Sequence, residues 1–147
     1  MVFETLATLS AGLFAGAAIY ITAVEHPARM ECGTELAIRQ FAPSYRRATV
    51  IQASLAGIGF LMAIAAWLTS GSLWWLVGGT ILAAVIPFTL VVIFPTNKKL
   101  LEPSLNKGSE LASALLVKWG RLHNVRSLLG LISFLIFLFL LTSSHLK

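Results

Sequence analysis

The residues best suited to chemistry in this 147-residue chain are Trp119, His123 and Arg126, which lie at positions i, i+4 and i+7. If the stretch is helical, this spacing places an indole, an imidazole and a guanidinium on one helix face. An imidazole transfers protons or binds metals near neutral pH. A cation at the edge of an apolar span needs a partner or a function.

A second candidate group closes the first apolar block, at Glu25 and His26. Glu25 is either a general base, a metal ligand or the salt-bridge partner of Arg46 or Arg126, and the salt bridge is favoured. His26 and His123 are each either reactive groups or hydrogen-bonded anchors. With Glu25 they supply the right atoms for a single transition metal such as zinc, iron or copper. No His-x-x-x-His or Glu-x-x-His spacing supports such a site, so the cofactor is either a single transition metal or none.

Further polar and aromatic residues have two alternative roles each. Asn97 either caps a helix C-terminus or hydrogen-bonds a substrate oxygen. Tyr45 and Trp119 either belong to an interfacial aromatic belt or stack on a flat ligand. Of the adjacent pair Arg46 and Arg47, one usually faces lipid headgroups.

The composition indicates an integral membrane protein. The chain is 57% hydrophobic and only 12% charged, and the charges cluster between long uncharged blocks. The excess of Lys and Arg over Asp and Glu is therefore interpreted as the set of positive residues that orients membrane helices. Nucleic acid is not expected as a partner. Cys32 is the only cysteine, which excludes an internal disulfide and a Cys-x-x-Cys redox pair.

The apolar blocks predict an all-α, four-helix membrane bundle that forms a single domain over residues 1–147. Polar residues 28–47 are expected to be a surface loop with a short interfacial helix. Pro43 suits the first turn of the next helix. The second polar segment is expected to contain a helix that feeds into the fourth span. Pro87 predicts a kink in the third span.

Gly12 and Gly16 favour close helix packing, inside the bundle or at a dimer face. The predicted spans are residues 5–24, 50–69, 73–94 and 127–141.

The basic residues predict the orientation. All of them except Lys147 fall on the membrane face that carries the two long connections. The positive-inside rule makes this face cytoplasmic, with both termini outside a bacterial-type inner membrane. All the candidate site residues then share one depth, where they can converge on one pocket. His145 is expected to be a solvated tail residue.

In these residues and their order, the chain resembles the DUF1772 family of small four-helix membrane proteins, which includes the anthrone oxygenases. Four features carry the resemblance over nearly the whole chain: a Gly-rich first helix ending in His26-Pro27, the Arg46-Arg47 entry to the second helix, Pro95-Thr96-Asn97, and Trp119-x-x-x-His123-x-x-Arg126.

The resemblance implies an oxygenase that uses O₂ to oxidise an activated carbon of a lipophilic aromatic or quinol-type substrate to a ketone. His123 or His26 would be the base, and Arg126, Arg46 and Asn97 would hold the enolate oxygen. Substrate would also contact Tyr45, Trp119 and Thr96, beside the kinked third helix. The expected partners are the lipid bilayer and a small lipophilic substrate, and a homo-oligomer is left open. The alternative is a non-catalytic membrane protein that binds a lipid, a quinone or a partner protein. A small transporter ranks third, because spans two to four lack an ionisable group at mid-membrane.

Overall fold

The computed structural model describes residues 1–144, and helices account for nearly all of this range. His145 and Lys147, each given a sequence-based expectation above, lie outside the described residues. The helices are α1 (Val2–Tyr20), a first π-helical segment (Ile21–Glu25), α2 (His26–Glu31), α3 (Thr34–Ser70), α4 (Trp74–Phe88), a second π-helical segment (Thr89–Ile93), α5 (Phe94–Leu100) and α6 (Glu110–Ser144).

Four of the resulting helical runs are long and apolar enough to cross a membrane. Each π-helical segment joins its flanking helices without a break, so the runs are Val2–Glu31, Thr34–Ser70, Trp74–Leu100 and Glu110–Ser143. The α1 and α4 helices each pack against both α3 and α6, which gives a ring of four neighbouring helices. The prediction of an all-α, four-helix integral membrane bundle is confirmed.

The first polar connection is far shorter than the sequence suggested. The chain turns at Cys32 and Gly33, where Gly33 has a φ of 87°, and α3 then continues to Ser70. The predicted loop over residues 28–47 is therefore wrong, because the face formed by Ala37, Ile38 and Phe41 is fully buried and favours a helix. Pro43 lies inside α3 rather than in its first turn.

The π-helical segments occupy equivalent places in the two helical runs that contain them. The first ends at Glu25 and the second at Ile93, each two residues before a proline, Pro27 or Pro95. Pro87 lies inside α4, and the second π-helical segment begins two residues after it. Such segments insert an extra residue into a helical turn and are frequent at functional sites.

Close helix packing relies on small residues. A Cβ on Gly12 would lie 2.9 Å from the Phe134 ring of α6, whereas Gly16 faces open space. Gly12 therefore packs inside the bundle. The apolar core has two parts: one around Phe14, in the half of the bundle that carries the chain termini, and one around Phe41 and Trp119, near the end that carries the Cys32–Gly33 turn. A layer of buried polar side chains lies between the two.

Candidate functional site

A small enclosed cavity lies in this polar layer and receives side chains from all four helical runs. We call it the inner cavity. The volume within which the centre of a water-sized sphere can move is about 20 Å³. This is enough for one water or O₂ molecule. It is lined by Ile21, Arg29, Phe41, Ser44, Tyr45, Ala48, Thr49, Gln52, Ile93, Asn97, Trp119, His123 and Arg126.

His123 is anchored in the inner cavity by a chain of hydroxyl groups. Its Nδ1 lies 3.0 Å from Thr22 Oγ1, which lies 2.8 Å from Ser127 Oγ. The Ser127 hydroxyl in turn donates to the backbone carbonyl of Ala18 at 3.1 Å or of His123 itself at 3.2 Å.

The donor and acceptor of each hydrogen bond in this series of hydroxyl groups can be assigned from the Ser127 contact with a carbonyl. A carbonyl oxygen only accepts hydrogen bonds, so when the Ser127 proton goes to one of these two carbonyls, Ser127 Oγ accepts from Thr22. The Thr22 oxygen is then left to accept from His123 Nδ1–H. In this assignment each of the three protons has an acceptor, and the Nε2 lone pair of His123 is free.

Four further buried groups around the cavity have polar atoms without a hydrogen-bond partner. They are both side-chain atoms of Asn97, Nε1 of Trp119, and Nε of Arg29 and of Arg126. Asn97 is completely buried, and Arg126 is 9% exposed. Such groups are costly to leave unpaired, so they mark a place where a polar ligand atom would be stabilised.

Arg126 is the unpartnered cation of this layer. None of the ion pairs among residues 1–144 includes Arg126, and its guanidinium carbon lies 5.3 Å from the centre of the Phe14 ring. The aromatic face contributes cation–π attraction but leaves the charge unneutralised. A buried cation of this kind favours an anion or a developing negative charge beside it.

Arg29 is buried as well, but its charge is neutralised. It forms an ion pair with Glu25, whose carboxylate also accepts from Gln40 at 2.9 Å and Ser44 at 2.6 Å. The expectation that Glu25 pairs with Arg46 or Arg126 is therefore wrong, because Arg29 lies one helical turn away on the same face. Arg46 is exposed.

Aromatic rings form the wall of the cavity on the side of the long connections. Trp119 stacks on His123 with 4.7 Å between ring centres, and Phe41 meets Trp119 edge-on at 5.2 Å. Tyr45 stacks on Phe41 at 5.6 Å. These rings provide an apolar lining next to the imidazole.

The structure brings some of the sequence-predicted residues together and separates others. Tyr45, Asn97, Trp119, His123 and Arg126 line the inner cavity, whereas Glu25, His26, Arg46 and Thr96 do not. His26 lies behind Trp119, at 5.1 Å between ring centres, where Gly120 leaves room for its ring. Thr96 is buried beside Asn97.

Sequence reasoning missed Thr22, Arg29, Gln52 and Ser127. One signal for Gln52 was available: Tyr45, Thr49 and Gln52 repeat on α3 the i, i+4, i+7 spacing of the three α6 residues, and all six line the cavity. Arg29 and Asn97 also correspond, since each lies two residues after the proline that follows a π-helical segment. The site therefore has two similar halves.

The candidate metal ligands do not form a cluster. Within residues 1–144, no group of three or more His, Cys, Asp and Glu side chains is arranged to hold a metal ion. Glu25 accepts hydrogen bonds from Arg29, Gln40 and Ser44 and does not line the inner cavity.

The fold and the cavity define a class of protein: a small four-helix integral membrane protein with a buried histidine, an unpaired buried arginine and an unpaired amide at one end of the bundle. Residues 41–136 match the family model described as anthrone oxygenase, and the chain belongs to this family. The resemblance inferred from the sequence motifs is thus confirmed.

A curated relative supports the same assignment over a shorter stretch. The chain is 47% identical over 62 residues to "Anthrone oxygenase AgnL2" of Paecilomyces divaricatus, an alignment covering 36% of this chain. The chain spans 37% of the length of that relative. No solved structure matches this chain.

Proposed function

We propose that this protein is a membrane-embedded oxygenase that converts the activated methylene carbon of an anthrone-type lipophilic aromatic substrate to a ketone with O₂. The observation that carries the proposal is the hydroxyl chain at Nδ1 of His123, in a layer that also holds the unpaired cation Arg126; with Nδ1 as the donor to Thr22, Nε2 is unprotonated. Family membership supports an oxygenase reaction, and the relative's name supports an anthrone as the substrate class.

In the first step, His123 Nε2 takes a proton from the methylene carbon that lies opposite the ketone of the substrate. The Thr22 oxygen accepts from Nδ1–H and so holds the ring with Nε2 available, and it stabilises the imidazolium that forms. Stacking on Trp119 fixes the plane of the ring. A positioned base of this kind contributes roughly 10²- to 10⁴-fold to a rate.

The negative charge produced by this step resides mainly on the substrate oxygen. Arg126 and the Asn97 amide are the donors proposed to receive it, since both are buried and have unpaired N–H groups. Donors fixed in advance in a site without bulk water stabilise such a charge strongly. Arg46, which is exposed, is not needed in this arrangement.

The resulting electron-rich anion is oxidised by O₂, which is the co-substrate. The carbon forms a bond to oxygen, and protonation by the His123 imidazolium gives a hydroperoxide at that carbon. Loss of the second hydrogen from the same carbon and cleavage of the O–O bond release one water and leave the ketone. One O₂ is therefore consumed for each methylene group converted to a carbonyl, with one water formed.

The site is proposed to lie at the cytoplasmic end of the bundle, with both termini on the other side of a bacterial-type inner membrane. The support is the distribution of Lys and Arg, which are concentrated at the end that carries the long connections. The rings that line the cavity belong to the part of the core at this same end.

The proposal is tested by O₂ uptake with anthrone as substrate, comparing the purified wild type with His123→Ala. Asn124→Ala, an exposed neighbour on α6, is the matched control. We expect loss of about 10²- to 10⁴-fold in kcat for His123→Ala and none for the control. Anthrone oxidation that is no faster with the wild type than with His123→Ala would contradict the enzyme reading and favour the non-catalytic alternative, in which the same cavity only binds a ligand.

A further inference from the structure

A second cavity lies between α3 and α4, next to the inner cavity. We call it the outer gap. The volume within which the centre of a water-sized sphere can move in this gap is about 80 Å³. It is lined by Phe14, Thr49, Gln52, Ala53, Ala56, Val85, Ile86, Thr89, Leu90 and Arg126.

The outer gap reaches the lipid-facing surface of the bundle. Ala53 on α3 is exposed, as are Ile86 at 37% and Leu90 at 61% on the opposite side of the gap. Its lining is apolar apart from the hydroxyls of Thr49 and Thr89 and the two polar side chains at its inner end. The second π-helical segment begins at Thr89 and forms part of this wall. The gap is therefore open to molecules dissolved in the bilayer.

The inner end of the gap is shared with the inner cavity. Thr49, Gln52 and Arg126 line both spaces, and Gln52 is 2% exposed. A molecule lying in the gap would thus have its apolar part among Ala53, Ala56 and Leu90, with its polar end directed at Arg126.

We propose that the outer gap is the entrance and ring-binding subsite for the fused aromatic rings of the substrate, which enter laterally from the lipid. This inference rests on the proposed function and specifies how its substrate binds. The inner cavity holds little more than one O₂ molecule, so a tricyclic substrate needs additional space, and the gap is the adjoining space with an apolar lining. A substrate that partitions into the bilayer reaches this opening without crossing water.

The test narrows the gap from its lipid-facing side. Ala53→Val, Ala53→Phe and Ala53→Trp form a graded series, and the same changes at Ala84 are the matched controls, because Ala84 is a lipid-exposed alanine of α4 outside the gap. With anthrone as substrate, we expect kcat/KM to fall stepwise along the Ala53 series, to about a tenth or less for Ala53→Trp, with the Ala84 series unchanged. Leu90→Ala, which widens the opening, is expected to lower KM.

The outcomes separate the two proposals. If the wild type and the Ala84 variants oxidise anthrone and the folded Ala53→Phe variant matches them, the entrance proposal is overturned while the enzyme reading stands. If the wild type itself shows no anthrone-dependent O₂ uptake, the proposed function fails and the subsite falls with it. Should Ala53→Trp fail to fold, the Val and Phe steps, together with Leu90→Ala, still decide the result.

Discussion

The Thr22 hydroxyl, in the first π-helical segment, lies 3.0 Å from Nδ1 of His123, although the two residues are 101 positions apart in the chain. This contact ties the first helical run to the last, and in the assignment given above the imidazole carries its proton on the nitrogen that faces Thr22. It connects an irregular turn of the first helix with the proton transfer proposed for the site.

Thr22→Val keeps the shape of the side chain but removes the oxygen that accepts from Nδ1–H. We expect kcat to fall about tenfold or more, because the imidazole loses the partner that holds its productive tautomer. Thr22→Ser should restore most of the activity, and Thr80→Val at an exposed position should have no effect. Equal activity of Thr22→Val and wild type in the O₂ uptake assay would rule out this positioning role.

Arg126→Met is expected to separate activity from stability. Removing a buried cation that has no ion-pair partner should leave the thermal midpoint in detergent unchanged or higher. Loss of the donor to the substrate oxygen should lower kcat about 10²-fold. Arg121→Met, at an exposed position one turn and a half earlier in α6, is the control for loss of a positive charge. A variant that is both unstable and fully active would contradict this assignment.

Two Glu–Arg pairs with the same i, i+4 spacing should differ in their contribution to stability. Glu25→Gln leaves the Arg29 charge buried without a counter-ion, and we expect a loss of about 3 kcal/mol in the free energy of unfolding. In Glu35→Gln the partner is Arg39, and both side chains are more than half exposed, at 58% and 62%. That change should cost less than about 1 kcal/mol. Denaturation of both variants in the same detergent tests this difference. Equal losses of unfolding free energy would show that burial of an ion pair does not determine its contribution to stability.

Gly120→Ala should destabilise the bundle through His26. An added Cβ would lie 2.5 Å from His26 Nε2, so the ring would have to leave its place against Trp119. We expect a cost of about 1–3 kcal/mol, typical of overpacking. Gly57→Ala meets no atom within 4 Å and should be neutral or stabilising by up to about 1 kcal/mol. Thermal midpoints of the two variants provide the comparison, and a neutral Gly120→Ala would mean that the His26 ring is free to move.

The sequence by itself determined the class of fold and the family. Long uncharged blocks can satisfy their backbone groups in lipid only as helices or closed barrels, so composition and block length were sufficient to predict a four-helix membrane bundle. The Trp119–His123–Arg126 face was also readable, because residues at helical spacing share a face whatever they pack against. The same rule applied to Tyr45, Thr49 and Gln52 would have indicated the facing wall.

Only the tertiary structure decided which polar groups have partners. Glu25, which has its i+4 neighbour Arg29 as partner, also accepts from Gln40 and Ser44 of α3, and Thr22 joins Ser127 at His123 because the first and last helical runs pack together. The same packing left Arg126 and Asn97 buried without partners. Periodicity along one chain carries no information about contacts across a hundred residues, so the arrangement of these charges and protons depends on how the four helices pack.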